Sequence, residues 1–270
     1  MQCNAPIGVL DSGVGGLSVL KCLHQLLPHE NFIYVGDTAR TPYGCRSEQE
    51  IRSFVSEIID WLALQGVKQV VIACNTLTML GVDSLKGDHS FSLVGMSKGE
   101  QLLLQASKKK KIGVFATQFT ISTGAHKKAI LAADPTVEVY PMACPKFVPL
   151  IEGEEFTNPE LLAAIKEYAA PLQAAGVDAL ILSCTHYPFI RKEIAQVMGP
   201  EVTIVDPAEA TSKLAQSELA KANLLRQEGK GTVTVCCTAD EDRVRRLTGR
   251  MLPVEDCSFT TIDLLAGKKL

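Results

Sequence analysis

Two cysteines carry the chemistry that this sequence offers most directly. Cys74 follows the apolar run of Val70-Val71-Ile72-Ala73-Cys74-Asn75-Thr76. Cys184 follows that of Leu180-Ile181-Leu182-Ser183-Cys184-Thr185-His186, 110 residues further on. The agreement reaches upstream, where Gly66-Val67 and Gly176-Val177 stand at the same offset. A free thiol with a pKa near ~8.5 is only slightly ionised at neutral pH. A helix starting directly after each cysteine would offer amides and a dipole that favour the thiolate. Two such thiols, facing each other, could act as base and acid on opposite faces of one carbon. A single strand-end cysteine is usually a small buried hydrophobe; the duplication is what argues for chemistry. A disulfide redox pair is the other chemistry two cysteines offer, although redox pairs usually sit close in sequence.

Other candidates stand at equivalent places. Asp11-Ser12-Gly13-Val14-Gly15-Gly16 is a Gly-rich turn between a strand and a helix, able to cradle a carboxylate or phosphate on its amides. It lacks the third glycine of a dinucleotide fingerprint, yet Asp37 lies where a ribose-binding acid would. A nucleotide-dependent oxidoreductase therefore stays open, as does a purely structural turn. Asn75, Thr76, Thr185 and His186 could hold an α-carboxylate and amino group, or could simply cap helices. His186 beside Cys184 suggests proton transfer or orientation of the thiol. Tyr43-Gly44 after Pro42 could bind a distal carboxylate through hydroxyl and amide, or form an ordinary turn. Glu152 sits in a mostly apolar segment, where a surface carboxylate is the plainer reading. Cys22, Cys45, Cys144, Cys236, Cys237 and Cys257 have no repeated context and read as packing residues.

The elements that must position these groups alternate between strand and helix. Short branched runs at Ile7–Leu10, Phe32–Val35, Val70–Ala73 and Phe91–Val94 read as strands. Helices are expected from Leu17 to about Leu27, from about Ser47 to Gln65 with a Ser47/Glu50 capping box, and around Leu77 to Leu85. The pattern then restarts. Ile112–Phe115 echoes the first strand and Ala116-Thr117 takes the place of Asp11-Ser12. Val137–Tyr140, Leu180–Ser183 and Val202–Val205 follow in turn, with a helix from about Pro159 to Ala175. Cys144 to Glu152 replaces the long polar loop Gly36 to Gly44. A duplicated βα unit of this kind implies an α/β fold of mostly parallel sheets flanked by helices. Two similar lobes are expected, pseudo-two-fold related, with an active-site cleft between them into which Cys74 and Cys184 face. After Pro207 the repeat stops, and a strand at Thr232–Cys237 lies between two helical stretches. The first lobe is therefore expected to be discontinuous, residues 1–97 with 208–270, and the second to span 98–207.

Composition narrows the partners. The 270 residues are 46% hydrophobic and 21% charged, with a net charge of −3. That fits a globular enzyme-sized core and argues against nucleic acid as a partner. The run Lys108-Lys109-Lys110-Lys111 reads as a solvated turn. No apolar run approaches the roughly 20 residues that span a bilayer, and no signal-like leader is visible, so no membrane partner is expected. Nine cysteines without CxxC spacing suggest neither a disulfide framework nor a zinc site, so no metal is expected and the reducing cytoplasm is the natural setting.

Five stretches resemble, in the same order, the motifs of bacterial glutamate racemases within the wider aspartate/glutamate racemase superfamily. They are Asp11–Gly16, Pro42-Tyr43-Gly44, Cys74-Asn75-Thr76, Cys144–Glu152 and Cys184-Thr185-His186-Tyr187-Pro188. The resemblance implies cofactor-independent interconversion of L- and D-glutamate, supplying D-glutamate for peptidoglycan and so for the cell wall. It makes Cys74 and Cys184 the two thiols, with Asp11 assisting Cys74, and His186 with Glu152 assisting Cys184. It makes Ser12, Pro42, Tyr43, Gly44, Asn75, Thr76, Thr117, Thr185 and His186 substrate-binding residues. It also implies a homodimer. Racemases of aspartate or related acids are the neighbouring alternative, and a non-catalytic amino-acid-binding protein is a third.

Overall fold

The computed structural model of the protein describes residues 2–43, 46–85 and 87–266. Ten strands follow in chain order: β1 (Ile7–Asp11), β2 (Phe32–Gly36), β3 (Gln69–Ile72), β4 (Ser92–Gly95), β5 (Lys111–Ala116), β6 (Glu138–Ala143), β7 (Ala179–Ser183), β8 (Thr203–Val205), β9 (Val233–Cys237) and β10 (Cys257–Thr261). They form two sheets in two compact units. One unit comprises Met1–Met96 and Ala208–Leu270, the other Ser97–Pro207.

The sheet of the first unit has the order β10-β9-β2-β1-β3-β4, and that of the second β6-β5-β7-β8. Every pairing is parallel. The core order β2-β1-β3-β4 is thus repeated as β6-β5-β7-β8, and the tail adds β9 and β10 beyond β2. β1, β3 and β7 are buried along their whole length, as strands covered on both faces must be. That is why they read as continuous apolar runs rather than alternating ones. In the second unit, Leu103, Ile112, Val114, Ile130, Ile181 and Val205 close one layer of the core.

Helix ends follow their capping chemistry. Glu48–Leu64 starts at Ser47, whose hydroxyl accepts from the Glu50 amide while the Glu50 carboxylate reaches back, a complete capping box. Pro159–Ala175 starts after Asn158 and stops at Gly176, which adopts φ +74°. Several expectations need correction. The helix around Leu77 to Leu85 is two short pieces, Asn75–Thr78 and Val82–Leu85, because Gly81 turns the chain at φ +91°. The replacement for the long loop contains a helix, Phe147–Glu152. Lys111 lies inside β5, not in a solvated turn; Lys108 and Lys109 donate their amides to the Asp178 carboxylate at 2.7 and 2.6 Å.

One buried ion pair ties the tail to the first unit. Lys68 and Glu30 have side chains 0% and 1% exposed and lie 2.5 Å apart. The Lys68 ammonium also donates to the carbonyls of Cys3 and Leu224, and the other Glu30 oxygen accepts from the Arg226 amide. Each ammonium proton and each carboxylate oxygen of the pair thus has a partner, which burial of two charges requires. Among the described residues no helix is long and apolar enough to cross a membrane.

Candidate active site

In the first unit the site forms at the carboxyl edge of the sheet. Leu10 pairs with Ile72, so continuing the register places Ser12 level with Cys74. The Ser12 hydroxyl and Cys74 sulfur lie 3.7 Å apart, both buried. Cys74 sits in extended backbone immediately before the turn Asn75–Thr78, and the Thr78 amide and hydroxyl both bond its carbonyl. The side-chain amide of Asn75 is buried, and neither its oxygen nor its nitrogen has a hydrogen-bond partner among the described residues. An unpaired buried amide costs about 1–3 kcal/mol, so this group is poised for a partner from outside the chain. Thr76 is buried beside it.

Asp11 ends β1 and is fully buried, with one carboxylate oxygen 2.8 Å from the Gly13 amide. The Gly-rich turn is held by close packing. The Tyr34 hydroxyl donates to the Gly13 carbonyl at 2.7 Å. A Cβ on Gly36 would fall 2.3 Å from that same carbonyl oxygen, and one on Gly16 2.7 Å from the Asp11 Cβ. Close packing alone, against backbone at Gly36 and against side chains at Gly16, accounts for these two glycines. Asp37, the acid a ribose would need, is also committed. It is fully buried and accepts from the Tyr43 hydroxyl, from Arg40 Nε at 2.6 Å and from the Thr238 hydroxyl at 2.9 Å. The observation that kept a nucleotide reading open therefore has a structural explanation. Tyr43 is likewise not free to offer its hydroxyl proton: it is spent on Asp37, and burial followed by the nearby carboxylate raises the phenol pKa far above its usual range. Gly44 lies outside the described residues.

The second unit builds a different environment around the equivalent cysteine. Ala116 pairs with Ser183, so Thr117 is level with Cys184 as Ser12 is with Cys74. Thr117 instead caps the helix Gln118–Thr123, accepting from the Thr120 amide at 3.3 Å. The imidazole of His186 takes up the thiol. Its Nδ1 is 3.9 Å from the Cys184 sulfur and its Nε2 2.7 Å from Glu152 Oε1. Cys184, Thr185, His186 and Glu152 are all buried. Burial alone would pull the His186 pKa down, but the Cys184 thiol and the Glu152 carboxylate outweigh it and hold the pKa well above the ordinary value. Glu152 is delivered by the helix Phe147–Glu152, whose Phe147 packs edge-on against Phe115, Tyr168 and Tyr187. The Tyr187 hydroxyl donates to the Cys144 carbonyl at 3.3 Å, so this aromatic cluster fixes the loop that follows Cys184. Cys144 is a packing residue: burial pushes its thiol pKa upward.

Each unit thus brings a strand-end thiol together with its own hydrogen-bonding partner, a hydroxyl in one and an imidazole–carboxylate pair in the other. The chain belongs to the Asp/Glu/Hydantoin racemase family, whose sequence model matches residues 7–215. Its similarities within that family point to one member activity. A glutamate racemase of Lysinibacillus sphaericus is 43% identical over 218 residues, 80% of this chain and 82% of that protein. A crystal structure of the glutamate racemase isoform RacE1 from Bacillus anthracis superposes with a TM-score of 0.89 at 32% identity, covering 97% of this chain and 99% of that one. The glutamate racemase of Francisella tularensis subsp. tularensis, solved in complex with D-glutamate, gives 0.86 at 32% identity, covering 98% and 99%.

Proposed function

We propose that the protein is a glutamate racemase that works through Cys74 and Cys184 without a cofactor. The observation that carries this reading is the pair of equivalent strand-end thiols, each buried with a distinct proton-handling partner, in a chain whose relatives are named glutamate racemases.

The α-proton of an amino acid is far less acidic than a thiol. A site that removes it must therefore place the base in contact with Cα and stabilise the carbanion-like state with preorganised dipoles in a dry environment. One thiolate takes the proton and the other thiol returns one to the opposite face; the roles exchange when the reaction runs backwards. His186, kept charged by its neighbours, stabilises the Cys184 thiolate and holds a proton within reach of the sulfur. Glu152 positions and charges His186. Ser12 hydrogen-bonds Cys74, and Asp11 shapes the turn that presents Ser12 and assists that thiol. Asn75 supplies the unpaired amide for the substrate's α-substituents, with Thr76 and Thr185 beside the two sulfurs. The Tyr43 and Gly44 amides receive the side-chain carboxylate, since the Tyr43 hydroxyl is engaged, and Pro42 sets the backbone that precedes them. Thr117 contributes by its position next to Cys184.

On this reading the protein acts in the cytoplasm as a homodimer and supplies D-glutamate for peptidoglycan. The test is L-glutamate in deuterated water with no added cofactor, followed by circular dichroism and α-proton NMR. Decay of the signal with α-deuterium incorporation supports the reading, and Cys74→Ser and Cys184→Ser should each lose most of it. No decay, or full activity in either variant, sinks it. The same assay with L-aspartate separates the neighbouring racemase.

A further inference from the structure

The tail beyond residue 215 lies outside the segment that the family model matches, yet it reaches the loop proposed to receive the substrate side chain. That loop leaves β2 at Gly36, and Gly36 pairs with Asp11, so it starts on the same sheet edge as Ser12 and Cys74. Besides the Thr238 amide, which donates to the Gly36 carbonyl at 3.2 Å, four hydrogen bonds made through threonine hydroxyls lock it to the turn after β9. The Thr238 hydroxyl donates to Asp37 Oδ1 at 2.9 Å and accepts from the Ala39 amide at 2.9 Å. The Thr38 hydroxyl donates to the Ala239 carbonyl at 2.5 Å and accepts from the Ala239 amide at 2.9 Å. Two threonine hydroxyls thus work reciprocally, each both donating and accepting. Asp37 passes the constraint on, because its second oxygen holds the Tyr43 hydroxyl and Arg40. The loop is consequently fixed from a segment 201 residues away in sequence.

We infer that Thr238 is a positioning residue for the proposed racemisation, holding the loop from Asp37 to Tyr43 in its substrate-ready form through Asp37. The inference rests on the racemase reading and extends it to the tail. A loop that occupies its binding-competent form only part of the time weakens apparent affinity by that fraction, while turnover of bound substrate is unchanged. Loss of the lock should therefore appear in KM and not in kcat.

Thr238→Val keeps the branched shape and removes both hydrogen bonds; Thr238→Ser keeps both. In the full chain, Thr238→Val should raise KM for L- and D-glutamate about tenfold with kcat within about twofold, and Thr238→Ser should behave as the wild type. Trypsin cleavage after Arg40, read by mass spectrometry, reports the loop without any catalysis and should accelerate severalfold in Thr238→Val but not in Thr238→Ser. Thr38→Val, which breaks the other half of the lock, should do the same and serves if Thr238→Val does not fold. Wild-type chain that fails to racemise glutamate refutes the underlying reading. Wild-type chain that racemises, with KM and Arg40 cleavage unmoved in the valine variants, refutes this inference alone. So does a loss confined to kcat, or a Thr238→Ser variant as impaired as Thr238→Val.

Discussion

Replacing Glu152 by glutamine removes the charge behind His186 and keeps the shape that carries it. The Glu152 oxygen lies 2.7 Å from Nε2, and the two side chains are 10% and 5% exposed, so solvent does little to screen the pair. A hydrogen bond to a charged group is worth about 1.5–3 kcal/mol. His186 should then lose its proton at lower pH. The sign follows from which form the carboxylate favours: it stabilises imidazolium, so its removal lowers the pKa, and the charged form disappears earlier as pH rises. The basic limb of kcat/KM should move to lower pH. At neutral pH kcat/KM should fall about tenfold to a hundredfold. L- and D-glutamate are mirror images with equal free energy in water, so the equilibrium constant is unity in every variant. The fall in kcat/KM must therefore be equal in both directions, and any asymmetry between the two thiols can show only in kcat and KM separately. Circular dichroism from each enantiomer across a pH series measures all of this. A basic limb that stays in place or moves upward, with kcat/KM unchanged, refutes the role assigned to Glu152.

Asn75→Ala removes a buried amide that has no partner in the free protein, so the melting temperature should stay within a few degrees while KM for glutamate rises at least about tenfold; a large stability loss with normal KM would reverse the assignment. Lys68→Met strands the Glu30 carboxylate in the core and should cost about 3–5 kcal/mol, roughly 6–20 °C in melting temperature for a unit of this size. Adding Glu30→Leu should recover most of that loss, and a double variant no more stable than the single one would show that the pair's charges are not what matters.

The parts of the fold that were legible in the sequence are those where one local signal dominates. Continuous branched runs gave β1, β3 and β7, and Ser47 with Glu50 marked a helix start that is present with both capping bonds. The duplication was visible because buried strands tolerate few substitutions in type, and the repeated sheet order accounts for it. β10 went unread because Cys-Ser-Phe-Thr-Thr is more than half polar and, at a sheet edge, buries none of its residues fully. Glu100–Ala106, Gln118–Thr123 and Ala125–Ala133 were unread as helices because their apolar faces are narrow, and Gly124 separates the last two. Within the candidate site, Cys184, His186 and Glu152 could be grouped from motif order. The engagement of Asp37 by Thr238 had no sequence signal at all, since partners 201 residues apart leave no local pattern.

The order of synthesis runs against the order of completion in this chain. Phe32 in β2 pairs with Val233 in β9, so one flank of that strand stays open while about 200 further residues are made, some 10–40 s at ordinary elongation rates. The unit of residues Ser97–Pro207 is contiguous and can finish folding during that wait, before the unit that began first. Until β9 arrives, β2 is an exposed edge of the kind that recruits strands from other chains. Premature termination near residue 215 would keep every residue of the thiol sites and still leave an aggregation-prone nascent product.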